Sequence, residues 1–181
     1  MSVLNIDTSK SRSVDDNVME QLVEDLFRHH GIKSLQRYNL AYRHHVMQLS
    51  KELDIKVVIG GVLTRESLIN FNDAGKLWVT LAKDVSYAED LKQVALAIAC
   101  HIFVEKGFLQ RPTNLSIDMK SMPPELFKAC KRVAAMITMP RGEFSKMAEK
   151  HKGSPDRVEF LALAFNTTND FVEYRLKHLK L

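Results

Sequence analysis

Two cysteines, one histidine and one glutamate hold the side chains best suited to chemistry. Cys100, His101 and Glu105 stand close together, and Cys130 follows further along the chain. His101 and Glu105 are spaced i, i+4, so on a helix they share one face. Thiolate, imidazole and carboxylate are the usual ligands of borderline and soft divalent metals, so Cys100, His101, Glu105 and Cys130 form a conceivable metal set. The plainer reading keeps both cysteines as small core residues, His101 as a hydrogen-bonded core histidine and Glu105 as a helix-end carboxylate. Two pairs of adjacent histidines, His29-His30 and His44-His45, point about 100° apart on a helix and cannot easily share a metal. They read as surface or helix-end residues. Gly60-Gly61 has no Gly-Lys-Ser/Thr after it and is a turn rather than a phosphate loop.

These residues need elements to position them. The stretch Val94 to Val104 is apolar nearly all round, which predicts a helix buried on most sides. Ser86 and Glu89 form a capping box for it, and the helix is expected over about 87–106, with Gly107 ending it. Pro123-Pro124 opens the next helix. Met139-Pro140 closes it, because proline disfavours helix in the residue before it. Upstream, Ser13 is expected to cap a helix over 14–30, and a second is expected over 34–53. Residues 55–82 change period. Ile55 to Ile59 and Lys76 to Leu81 read as strands around a turn at Asn72 to Gly75, giving a sheet of two or three strands. Residues 108–122 read as a loop. Glu143 to His151 is a short helix. Ser154-Pro155 starts another that ends at Phe165, and Thr167 or Thr168 caps the last, to about Leu179. The expected fold is α+β: a mostly helical domain over 14–181 with a small sheet, a loose tail over 1–13 and a C-terminal helical pair over 154–181.

Composition bounds the function. The 181 residues are 45% hydrophobic and 27% charged, with a net charge of +4 and two cysteines. That is globular composition with a mild positive balance and no dense basic block, so nucleic-acid binding is possible without being indicated. No apolar run approaches the roughly 18 residues of a membrane span. The polar N-terminus lacks an apolar signal core, and a cytoplasmic location is expected.

Two segments together resemble the ImmA/IrrE family of metallopeptidases, with their zincin-like fold. Members carry an H-E-x-x-H zinc helix, then a helix ending in a pattern like E-x-E-A-N-x-F-A-A-x-L-L-M-P that supplies an acidic ligand. Val133-Ala134-Ala135-Met136-Ile137-Thr138-Met139-Pro140 resembles the end of that pattern, and Phe160 to Leu181 resembles the family's closing segment. The likeness spans about 35–180. Carried over residue by residue, it implies a lost site. Ala97 stands for the first zinc histidine and Ile98 for the water-activating glutamate; only His101 survives as the second histidine. The acidic ligand falls near Phe127, with Ala129 at the other acidic position and Lys131 where the family prefers asparagine. If His101 is instead the first histidine, the glutamate is still missing and Glu105 takes the second histidine's place. One histidine cannot hold catalytic zinc, an isoleucine cannot act as base, and a lysine repels a cation.

The resemblance therefore implies a pseudoenzyme with no catalytic residue, no metal and no other cofactor. Its family is associated with helix-turn-helix repressors of phages and other mobile elements. The function expected is that of a non-catalytic regulatory or adaptor protein that binds such a repressor, or another protein, as an anti-repressor does. Two alternatives stay open. The segments Pro155 to Phe165 and Asn169 to Leu179, with Arg157, Arg175, Lys177, His178 and Lys180, could form a DNA-reading helix pair. The ligands could instead have moved to Cys100, His101, Glu105 and Cys130 in a working metallopeptidase.

Overall fold

The computed structural model describes residues 15–32, 40–59, 68–71, 76–83, 85–109, 116–117 and 123–181. Seven helices and four strands lie among them: α1 (Asp16–His29), α2 (Leu40–Glu52), β1 (Lys56–Ile59), β2 (Leu68–Phe71), β3 (Leu77–Leu81), α3 (Tyr87–Glu105), β4 (Ser116–Ile117), α4 (Pro124–Thr138), α5 (Arg141–Lys150), α6 (Arg157–Phe165) and α7 (Asn169–Leu179). The expected α+β, mostly helical fold is what is observed. The tail over 1–13, Ser13, the start of the second helix, Gly60-Gly61 and the turn at 72–75 lie outside the described residues.

The sheet is mixed, in the order β1-β3-β2-β4. β1 runs parallel to β3, with Val57 opposite Val79. β2 is antiparallel to β3, with Ile69 opposite Val79. In β3 the side chains alternate, Leu77, Val79 and Leu81 inward and Trp78 and Thr80 half-exposed, as a sheet covered on one face requires. On the outer face Lys56 lies 4.2 Å over the Trp78 ring. β4 corrects the loop expected over 108–122: Ser116 and Ile117 pair with Asn70 and Ile69 of β2. Two residues carry no periodicity, so only the long-range pairing reveals the strand.

α3 packs against β3 on one side and against α2 and α4 on others. This explains its sequence. A helix with neighbours on three sides has no polar face in its middle, and Val94 to Cys100 are all buried. Ser86 caps it as expected, accepting from the Glu89 amide at 3.2 Å. Gly107 ends it with φ +73, a left-handed turn that favours glycine. There the amides of Phe108 and Leu109 both donate to the Phe103 carbonyl.

Three expected boundaries shift. α1 is capped by Asp15, whose carboxylate accepts from the Asn17 amide at 2.9 Å. α5 starts at Arg141, directly after Pro140. α6 starts at Arg157, because residues after Ser154 first turn back, with the Arg157 amide donating to the Ser154 carbonyl. α4 keeps its expected limits, with Pro124 in the first turn and Met139 leaving the helix at φ −130. Every helix and strands β2 and β3 contribute to one cluster of buried apolar side chains, and Val57 of β1 packs against it. No helix among the described residues is long and apolar enough to cross a membrane.

Candidate functional site

The candidate site lies where α3 meets α4. Ala97 and Ile98 are fully enclosed, as are Cys100 and Cys130. His101, one turn after Ala97, is half-buried, and Glu105 is exposed at the end of α3. On α4, Phe127 and Lys131 are half-buried and Ala129 is buried. Lys131 Nζ lies 5.7 Å from the Phe127 ring centre and 4.0 Å from Asp170 Oδ2. Lys92 of α3 reaches the same carboxylate at 3.2 Å. Asp170 is thus held below the ordinary carboxylate range by Thr168 and the two lysines, in spite of the opposing effect of burial.

The helix packing brings the two cysteines together, with the Cys100 thiol donating to Cys130 Sγ at 4.0 Å. The contact with the Cys100 thiol, then burial, pushes the Cys130 thiol well above its usual value. A thiol held protonated in a dry contact is a packing group, not a ready metal ligand. His101 and Glu105 do not join the cysteines: no three His, Cys, Asp or Glu side chains among the described residues are grouped to hold a metal. The residues present do not fit a family zinc. The enclosed alanine and isoleucine offer no donor atom, and the half-buried aromatic at the acidic position offers none either.

The strongest buried polar groups lie elsewhere. Glu20 of α1 and Arg175 of α7 form a bidentate ion pair, one of its contacts being Arg175 Nη2 to Glu20 Oε2 at 3.0 Å. Arg175 Nε also donates to the Met139 carbonyl at 3.1 Å. Arginine's planar fork thereby ties α1 and α7 to the end of α4. His178 adds Nδ1 at 3.3 Å from Asp16 Oδ2, and Arg132 reaches Asp16 Oδ1 at 2.9 Å. Burial lowers the His178 proton affinity more than Asp16 raises it. Arg175, one of the cations of the possible DNA-reading helix pair, is buried. The signal for this was its register: it falls at i+4 from Phe171 and i+3 from Val172, both buried.

His45 is the second surprise. Expected at a surface or a helix end, it is 2% exposed. Its Nε2 donates to the Ile137 carbonyl at 2.7 Å, and the Phe27 ring meets it edge-on at 5.4 Å. Burial pushes its pKa down to about 4, so the ring is neutral at neutral pH. His29 and His30, at the end of α1, remain near the surface.

Of the five basic residues in the C-terminal helix pair, three have internal partners. Arg175 holds Glu20, Arg157 Nε donates to the Ala148 carbonyl at 3.1 Å, and His178 faces Asp16. Lys177 and Lys180 are left exposed.

No known family and no curated protein matches this chain. Among solved structures it is similar to one described as a Mycobacterium tuberculosis transcriptional regulator, with a TM-score of 0.58 and 16% identity. The match covers 89% of this chain and 48% of the other, so the chain spans about half that protein's length, and at this identity what is shared is the fold.

Proposed function

We propose that this protein is a non-catalytic regulator on an ImmA/IrrE-like, metallopeptidase-type fold. It captures a protein partner, a helix-turn-helix repressor in the first instance, without cutting it. The observation that carries this reading is the enclosure of Ala97 and Ile98 inside α3. Where the resemblance puts a zinc ligand and a general base, the chain has two apolar side chains with no access to water. Peptide hydrolysis through that site needs a donor for the metal and a base for the water, and both are absent from those positions. The regulatory half of the reading draws on the likeness in fold to a protein described as a transcriptional regulator. A regulator of this kind works in the cytoplasm and needs no cofactor.

The DNA-binding alternative draws on the same likeness, but its surface is poor. Three of its five basic residues are held by internal partners, which leaves only Lys177 and Lys180 of the five exposed for phosphate contacts. The relocated-metal alternative needs Cys100, His101, Glu105 and Cys130 to converge.

The test is incubation of the untagged protein with candidate helix-turn-helix repressors, with and without added zinc. A complex of fixed stoichiometry containing intact repressor is the expected result. Zinc-dependent cleavage of the repressor overturns the proposal.

A further inference from the structure

α6 has a core side and an open side, and both carry large apolar residues. Leu161, Ala162, Ala164 and Phe165 are buried. On the other side Leu163 is 66% exposed and Phe160 40% exposed. The two are spaced i, i+3 and so are neighbours on the helix surface. Most exposed hydrophobic residues stand singly and need no explanation; this adjacent pair does. Phe160 is also held in place, because the His151 ring stacks on it at 3.8 Å between centroids and 28° between planes.

The remaining exposed side chains of this helix and its cap are Asp156 and Glu159. Arg157, the one cation of the segment, is turned back to the Ala148 carbonyl. The open face of α6 therefore offers two apolar anchors flanked by two carboxylates.

We propose that this face is a docking surface for a basic amphipathic helix of a partner protein, one that presents apolar residues edged by Lys or Arg. The apolar pair supplies the buried centre of such a contact and the carboxylates choose the sign of its rim. A second copy of this chain fits less well. It would bring the same two carboxylates and no free cation from α6. The inference rests on the partner-capture reading and names the surface that serves it. DNA-binding proteins carry basic surfaces, so a repressor is a suitable source of such a helix.

The experiment uses two synthetic peptides of roughly 18 residues, about five helical turns. Both have a leucine face, one with lysine and arginine on the polar side and one with glutamate. Binding to the full chain is read by fluorescence anisotropy, and the contacted amides are mapped by NMR. The basic peptide is expected to bind at least about tenfold more tightly than its acidic twin, with shifts centred on α6. Leu163→Ser and Glu159→Lys are each expected to weaken it about tenfold, without moving the thermal transition, since both side chains are exposed. Equal binding of the two peptides, or variants that bind as the parent does, overturns the proposal. So does self-association abolished by Leu163→Ser, which gives the face to a second copy. Binding seen only after removal of residues 1–14 overturns it too, by giving the face to this chain's own segment. If these variants leave a repressor complex intact, the surface is wrong and the capture reading stands. If the basic peptide binds α6 but no repressor does, the surface stands and the capture reading falls.

Discussion

α4 has two sides that the fold treats in opposite ways. Toward α3 the contact is dry and apolar, with Cys100 against Cys130 and Ala97 and Ile98 sealed in the same helix. Toward α1 and α7 its end holds the most charged buried contact described: Glu20, Arg175 and the Met139 carbonyl, with His178 and Asp16 at the edge. In a metallopeptidase of the resembled family the first side would carry the titratable groups. Here the buried charge clamps three helices together instead. A buried charge is costly unless paired, so its position shows where the fold tolerates that cost. The buried residues named on the α3 side carry no charge.

The largest expected effect breaks the clamp. Arg175→Met leaves the Glu20 carboxylate buried without its bidentate partner and should cost about 3–5 kcal/mol of stability in denaturant unfolding. The double variant Glu20→Leu with Arg175→Met should recover much of that loss. A double variant as unstable as the single one would mean that the loss comes from packing rather than from an orphaned charge.

The second substitution challenges the dry side. Ile98→Glu places a carboxylate in an enclosed position and should cost about 3 kcal/mol or more at neutral pH, less as the pH falls and the side chain protonates. A stable Ile98→Glu protein would mean that water reaches α3, and would weaken the contrast between the two sides.

Acid should separate the sides further. The lowered pKa of His45, about 4 against 6.5, means that the unfolded chain takes up a proton which the folded one refuses. Its contribution is fully present above pH 6.5 and is lost as the pH falls toward about 4, on the order of 3 kcal/mol in all. The lowered His178 acts in the same direction. His45→Gln should flatten most of this slope. An unchanged slope would move the titration to other groups.

The smallest effect is expected at His101. His101→Ala should change stability by less than about 1 kcal/mol, because the ring is half-buried near a helix end. It should also leave partner binding intact. Loss of function in a folded His101→Ala protein would restore a chemical role to the imidazole.

Local rules carried much of the fold. The cap at Ser86, the stop at Met139-Pro140, the all-round apolar middle of α3 and the alternation of β3 each depend on residues within a few positions of one another. What escaped depends on distance. Glu20 and Arg175 are 155 residues apart and His45 and Ile137 are 92 apart, so no window along the chain shows that either pair meets. β4 is two residues long and exists through its pairing with β2. The candidate site was legible in part: the meeting of Cys100 with Cys130 follows from packing two apolar helices. That His101 and Glu105 stay apart from those thiols needed the three-dimensional arrangement.

The central claim is that the α3–α4 contact is a packing surface rather than a metal centre. Elemental mass spectrometry on untagged protein tests it most directly. Zinc and other transition metals far below one per chain are the predicted result. Zinc close to about one per chain, retained through dialysis as a closed protein site would retain it, would contradict the account and return Cys100, His101, Glu105 and Cys130 to the role of ligands.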